Sequence, residues 1–119
     1  MTDPKATTTG ARLAGAQALV AQFHARGVRQ IYGVPGGDCS LDIIAAAHEY
    51  GIAFVLARTE NAAAMMAAAG AEISGTLGVV LTTRGPGLAN GVNGVACAML
   101  DRCAIVLISD GYENEQAFV

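Results

Sequence analysis

One carboxylate stands where an apolar run hands over to an alanine-rich segment, in Val55-Leu56-Ala57-Arg58-Thr59-Glu60-Asn61-Ala62-Ala63-Ala64. Burying an unpaired charge costs several kcal/mol. Glu60 is therefore either a first-turn acid that complements a helix dipole, worth ~0.3–1 kcal/mol, or an acid placed to serve a bound group. Two glycine turns flank it in sequence. Gly33-Val34-Pro35-Gly36-Gly37 follows an apolar run. It lacks the spacing of a dinucleotide fingerprint, and no Gly-Lys-Ser/Thr follows it. It reads as a tight turn, or as a place where backbone approaches a ligand closely. Gly85-Pro86-Gly87 opens a helix whose first N–H groups are free to meet a polar ligand. Asn90, one turn further on, can donate and accept.

Other chemistries find no support. His24 and His48 fall within amphipathic segments, without a partner nearby in sequence, and read as solvated or core-edge side chains. Cys39, Cys97 and Cys103 are widely spaced, with no CxxC or Cys/His pattern, so they read as three reduced thiols rather than a zinc site or a disulfide framework. No Gly-x-Ser-x-Gly elbow occurs. Charged residues make up 14% of the chain and the net charge is −3, without a basic patch, so a nucleic-acid partner is not expected. No apolar run is long enough to span a bilayer. The polar, Thr-rich opening has no apolar signal core, and a cytoplasmic location is expected.

The elements that must carry these residues follow from periodicity. The 119 residues are 53% apolar, enough for one well-packed domain. Leu13, Ala16, Leu19, Val20 and Phe23 recur at helical spacing and predict a helix over 12–26, stopped by Gly27. Residues 29–34 read as a strand and 41–50 as a helix capped by Ser40 or Asp38. A strand over 52–56 and a helix over 59–73, with Thr59 as N-cap, follow. Then come a strand over 77–82, a helix over 86–100 with Pro86 at its first position, and a strand over 104–108. Residues 1–10 read as a loose tail and 11–119 as the domain.

The order is strand–helix repeated, and the strands are short continuous apolar runs. That pattern implies an α/β fold: a three-layer sandwich with a mostly parallel sheet and helices on both faces. Ligands of such sheets sit beyond the carboxyl ends of the strands. The loops 35–38, 57–60 and 83–87 all leave those ends, so Glu60 and both glycine turns are expected on one edge. The helix over 59–73 is Ala, Met and Gly on nearly every face, and the helix over 86–100 repeats Gly87, Gly91, Gly94 and Ala98. One sheet covers only one side of each, so a subunit or domain interface is expected on the other.

Gly33-Val34-Pro35-Gly36-Gly37, Arg58-Thr59-Glu60 with its alanine helix, and Thr82-Thr83-Arg84-Gly85-Pro86-Gly87-Leu88-Ala89-Asn90 stand in this order. Together they resemble the N-terminal pyrimidine-binding domain of thiamine-diphosphate-dependent enzymes, acetolactate synthase-like family. The resemblance covers nearly the whole chain. It implies a thiamine-diphosphate-dependent decarboxylase or carboligase acting on a 2-oxo acid. It implies that Glu60 hydrogen-bonds the cofactor aminopyrimidine and activates it for ylide formation. It also implies that Pro86 and Asn90 line the pyrimidine pocket and that Gly37 borders the reaction centre. In that family the cofactor carries the carbanion chemistry while the protein supplies geometry and proton control.

Two departures stand out. Arg84 occupies a position where the family usually has a small serine or glycine. Ala69-Gly70-Ala71-Glu72 replaces the family's Gly-Tyr-Ala-Arg. The family's diphosphate-binding stretch, Gly-Asp-Gly…Asn-Asn, is not found here, so Mg2+ and the diphosphate are expected on a diphosphate-binding domain of the same or another subunit. The resemblance implies a homodimer or homotetramer. The domain is expected to be incomplete at its C-terminal side, and the chain inactive alone. The alternatives are a non-catalytic assembly or regulatory domain of the same fold and a generic nucleotide-binding α/β domain.

Overall fold

The computed structural model describes residues 4–37 and 39–112. Helices and strands alternate: α1 (Pro4–Ala25), β1 (Gln30–Val34), α2 (Cys39–Glu49), β2 (Ala53–Leu56), α3 (Glu60–Ser74), β3 (Gly78–Thr82), α4 (Pro86–Leu100) and β4 (Ile105–Ser109). The four strands form one sheet in the order β2-β1-β3-β4, and all three pairings are parallel. This is the expected α/β sandwich.

Side-chain alternation along each strand assigns the two faces. Ile31, Val79 and Leu81 point to one face, where they meet Ala16, Val20 and Phe23 of α1 and Ile43, Ala46 and Ala47 of α2. Tyr32 and Val80 point to the other, where they meet Ala63, Ala64 and Ala67 of α3 and Val95 of α4. β3 lies inside the sheet and is buried along its whole length, as expected of a strand covered on both sides. The chain leaves β1 toward β2 over the α1–α2 face, then returns past β1 and on to β4 over the opposite face. Reversing both direction and face keeps every crossover of one hand. The reversal falls between β1 and β3, which makes their carboxyl ends the switch point where such sheets bind ligands.

Most predicted elements lie within two residues of their observed bounds, and α4 runs over the 86–100 anticipated. Two expectations need correction. α1 begins at Pro4, so most of the expected 1–10 tail is helical. Apolar periodicity starts only at Leu13, whereas proline suits a first helical position and no further proline interrupts the run, so the helix starts earlier. Ser40 does not cap α2. It lies inside the first turn, wholly buried, and its hydroxyl hydrogen-bonds Asp110 Oδ1 at 3.0 Å. Asp38, the other cap candidate, lies outside the described residues, as does the stretch beyond Tyr112. α3, apolar all round by sequence, has the open side that the sequence reading assigns to an interface. It is buried only toward the sheet and α4: Met65, Met66 and Ile73 are exposed, as are Leu88, Val92, Met99 and Leu100 of α4. A groove of about 670 Å³ runs between the two helices on that outer side, lined largely by Met65, Ala68, Ile73, Cys97 and Ala98.

Candidate functional site

Glu60 is placed by the end of β2 and the cap of α3. The β2 backbone runs on past its last residue, with Ala57 N–H donating to Gly33 O at 2.9 Å. Thr59 then adopts extended geometry (φ −145°, ψ 156°), and its side chain accepts from Ala62 N–H at 3.1 Å. That bond satisfies one free donor of the first turn. With the helix entry fixed, the next residue, Glu60, turns inward rather than toward solvent. It is only 7% exposed. Among the described residues, none hydrogen-bonds or ion-pairs with its carboxylate.

The first turn of α4 forms the other wall. Gly85 sits at φ 66°, ψ −117°, a conformation that glycine alone adopts readily. The kink brings Pro86 to the first helical position and Gly87 against Glu60. A Cβ at Gly87 would stand 3.2 Å from Glu60 Oε1 and 2.6 Å from Thr83 Cγ2. One turn on, a Cβ at Gly91 would lie 3.8 Å from Glu60 Cβ and 4.0 Å from Thr82 Cγ2. Two missing side chains thus let α4 pass directly over the acid. Further along, Gly94 rests on Ala64 and Asn61 of α3, and Asn93 Nδ2 donates to Asn61 Oδ1 at 3.4 Å.

The β1 and β3 loops also meet. A Cβ at Gly36 would overlap the Thr83 side chain and one at Gly33 would overlap the Leu81 backbone carbonyl, so these are the two residues of the first glycine turn that need to lack a side chain. Gly37 is exposed, and a Cβ there would meet open space. Pro86 and Asn90 are also exposed, on the same edge as Glu60. The structure therefore gathers Glu60, Pro86 and Asn90 around the start of α3 and α4, with Gly37 at the end of β1 on the same side of the sheet. Sequence reasoning places the 83–87 loop on the acid's edge but does not pick out Gly91 as its neighbour. The four-residue step of the glycines is the available signal, but by sequence it reads as an interface.

Thr82 closes β3 and is wholly buried, and its Oγ1 has no hydrogen-bond partner among the described residues. Leaving such a hydroxyl unpaired costs about 1–3 kcal/mol. Arg84 lies at the rim of this edge. Its guanidinium stacks 4.7 Å over the Tyr112 ring and donates to Gly111 O at 3.4 Å. Among the described residues, no His, Cys, Asp or Glu side chains gather in threes as a metal would need, and no helix is long and apolar enough to cross a membrane.

Chemically, a buried acid that lacks a protein partner can accept a hydrogen bond from, or exchange a proton with, a polar group brought against it, and a side-chain-free helix start leaves backbone beside it.

Comparison with known proteins identifies the family. Residues 13–117 match the family described as thiamine pyrophosphate enzyme, N-terminal TPP binding domain. The chain is 44% identical over 98 residues to the acetolactate synthase isozyme 3 large subunit of Escherichia coli, covering 82% of this chain and 17% of that protein. It is 37% identical over 95 residues to the probable acetolactate synthase large subunit of Methanocaldococcus jannaschii, covering 80% and 16%. It is 40% identical over 84 residues to the catabolic acetolactate synthase of Raoultella terrigena, covering 71% and 15%. The chain thus spans about a sixth of the length of these relatives.

Proposed function

The chain belongs to the family of thiamine pyrophosphate enzyme N-terminal domains, and from that premise we propose that it binds the aminopyrimidine of thiamine diphosphate through Glu60. The domain serves a decarboxylase or carboligase of the acetolactate synthase type, acting on a 2-oxo acid. The observation that carries this reading is the burial of Glu60 without a partner among the described residues, seated against Gly87. When bound, the cofactor supplies a carbanion equivalent at its thiazolium C2. Glu60 holds and returns a proton at the pyrimidine ring edge. Pro86 and Asn90 flank the ring, and Gly37 borders the space where substrate reacts. A carboxyl that does this work needs a water-poor seat and a fixed direction. The Thr59 cap and the α4 glycines supply both.

The diphosphate and Mg2+ are assigned to a diphosphate-binding domain of the same or another subunit. The exposed apolar outer face of α3 and α4 supports an assembly in which a partner covers it, in a homodimer or homotetramer. The experiment is calorimetric titration of the holoprotein, meaning this domain together with its diphosphate-binding domain, with thiamine diphosphate and Mg2+. Saturable binding supports the reading. Absence of binding favours a non-catalytic assembly or regulatory domain, and tight NAD or ATP binding without any thiamine effect favours a general nucleotide-binding domain.

A further inference from the structure

Two oxygen-bearing side chains on the α3–α4 face of the sheet edge lack partners among the described residues: the carboxylate of Glu60 and the hydroxyl of Thr82. Both are buried, Thr82 completely. Thr82 follows Val80 by two residues along β3, so it points to the same face, toward α4. The position a Cβ would take on Gly91 is 3.8 Å from Glu60 Cβ and 4.0 Å from Thr82 Cγ2. Gly91 therefore stands between them and places no side chain in the gap.

We propose that Thr82 is a positioning residue for Glu60. Its O–H donates to the Glu60 carboxylate through one enclosed water, and holds the carboxyl plane while the acid exchanges its proton. The chemistry is complementary, because a carboxylate only accepts and a hydroxyl can donate. Buried hydroxyls are seldom left without a partner, and a bond to a charged acceptor is among the stronger ones. Ser109, the β4 residue in register with Thr82, does not compete, since its hydroxyl already donates to Asp110 O at 3.2 Å. The inference rests on the reading of Glu60 as the proton-exchanging acid.

The test uses the holoprotein loaded with thiamine diphosphate and Mg2+, in the unmodified form and as Thr82→Val and Thr82→Ser. Cofactor affinity and the rate of hydrogen–deuterium exchange at thiazolium C2 are measured for each. Valine keeps the shape of threonine and removes the donor; serine keeps the donor and removes a methyl group. The expected result is affinity within about threefold for both variants, exchange slowed about tenfold or more in Thr82→Val, and exchange near the unmodified rate in Thr82→Ser. Unmodified exchange in Thr82→Val, or equal slowing in both variants, would overturn the inference while leaving Glu60 in its role. Failure of the unmodified holoprotein to accelerate exchange over free cofactor would overturn the Glu60 reading and this inference with it.

Discussion

Gly87 and Glu60 fix each other's place: a Cβ on residue 87 would stand 3.2 Å from Glu60 Oε1 and 2.6 Å from Thr83 Cγ2. An added methyl has to push either the threonine side chain or the carboxylate. Gly87→Ala in the holoprotein is expected to fold and to lose activity by about tenfold or more, because displacement of about 1 Å at a reacting group is costly. Steady-state kinetics at saturating cofactor check this. Full activity would show that the acid's seat tolerates movement.

Gly94 plays a packing part on the same helix. A Cβ there would come within 2.7 Å of both Ala64 Cβ and Asn61 O. One of these is backbone, so the helices must separate. Gly94→Ala is expected to destabilise the fold by about 1–3 kcal/mol, read as a lower denaturation midpoint with an unchanged slope.

Cys103 offers a pH-dependent check far from the acid. Burial, with the Glu72 and Asp101 charges beside it, pushes its thiol up from the ordinary value. The thiolate is disfavoured, so alkylation of Cys103 is expected to become rapid only at higher pH than for an unperturbed thiol. Glu72→Gln should move that onset downward. By linkage, a group raised in the folded state adds stability below its unfolded value and loses it as pH rises through the folded one. The alkylation rate followed by mass spectrometry between neutral and alkaline pH checks the direction.

Local signals in the sequence carry most of the fold. Pro86 at a first helical position fixes the start of α4, and Thr59 announces the cap that the structure shows. Short apolar runs mark the strands, and their order implies a parallel sheet. What stays hidden is non-local. Ser40 reads as a cap until Asp110, seventy residues away in the chain, takes its hydroxyl. Thr82 is an ordinary strand threonine until α4 crosses above it. The same holds for Glu60: its charge and setting are legible, but its closeness to Gly87 depends on a helix that starts 26 residues later. The resemblance singles out Gly37 in its turn, whereas the close approaches within the chain fall at Gly33 and Gly36.

The central claim is that Glu60 exchanges the proton that activates thiamine diphosphate. Hydrogen–deuterium exchange at thiazolium C2, measured in the holoprotein with and without Glu60→Gln, tests it most directly. Glutamine keeps the shape of the side chain and cannot cycle a proton. The predicted result is that Glu60→Gln still binds the cofactor but slows exchange by about 10²–10⁴-fold. Exchange at the unmodified rate in Glu60→Gln, with cofactor bound, would contradict it.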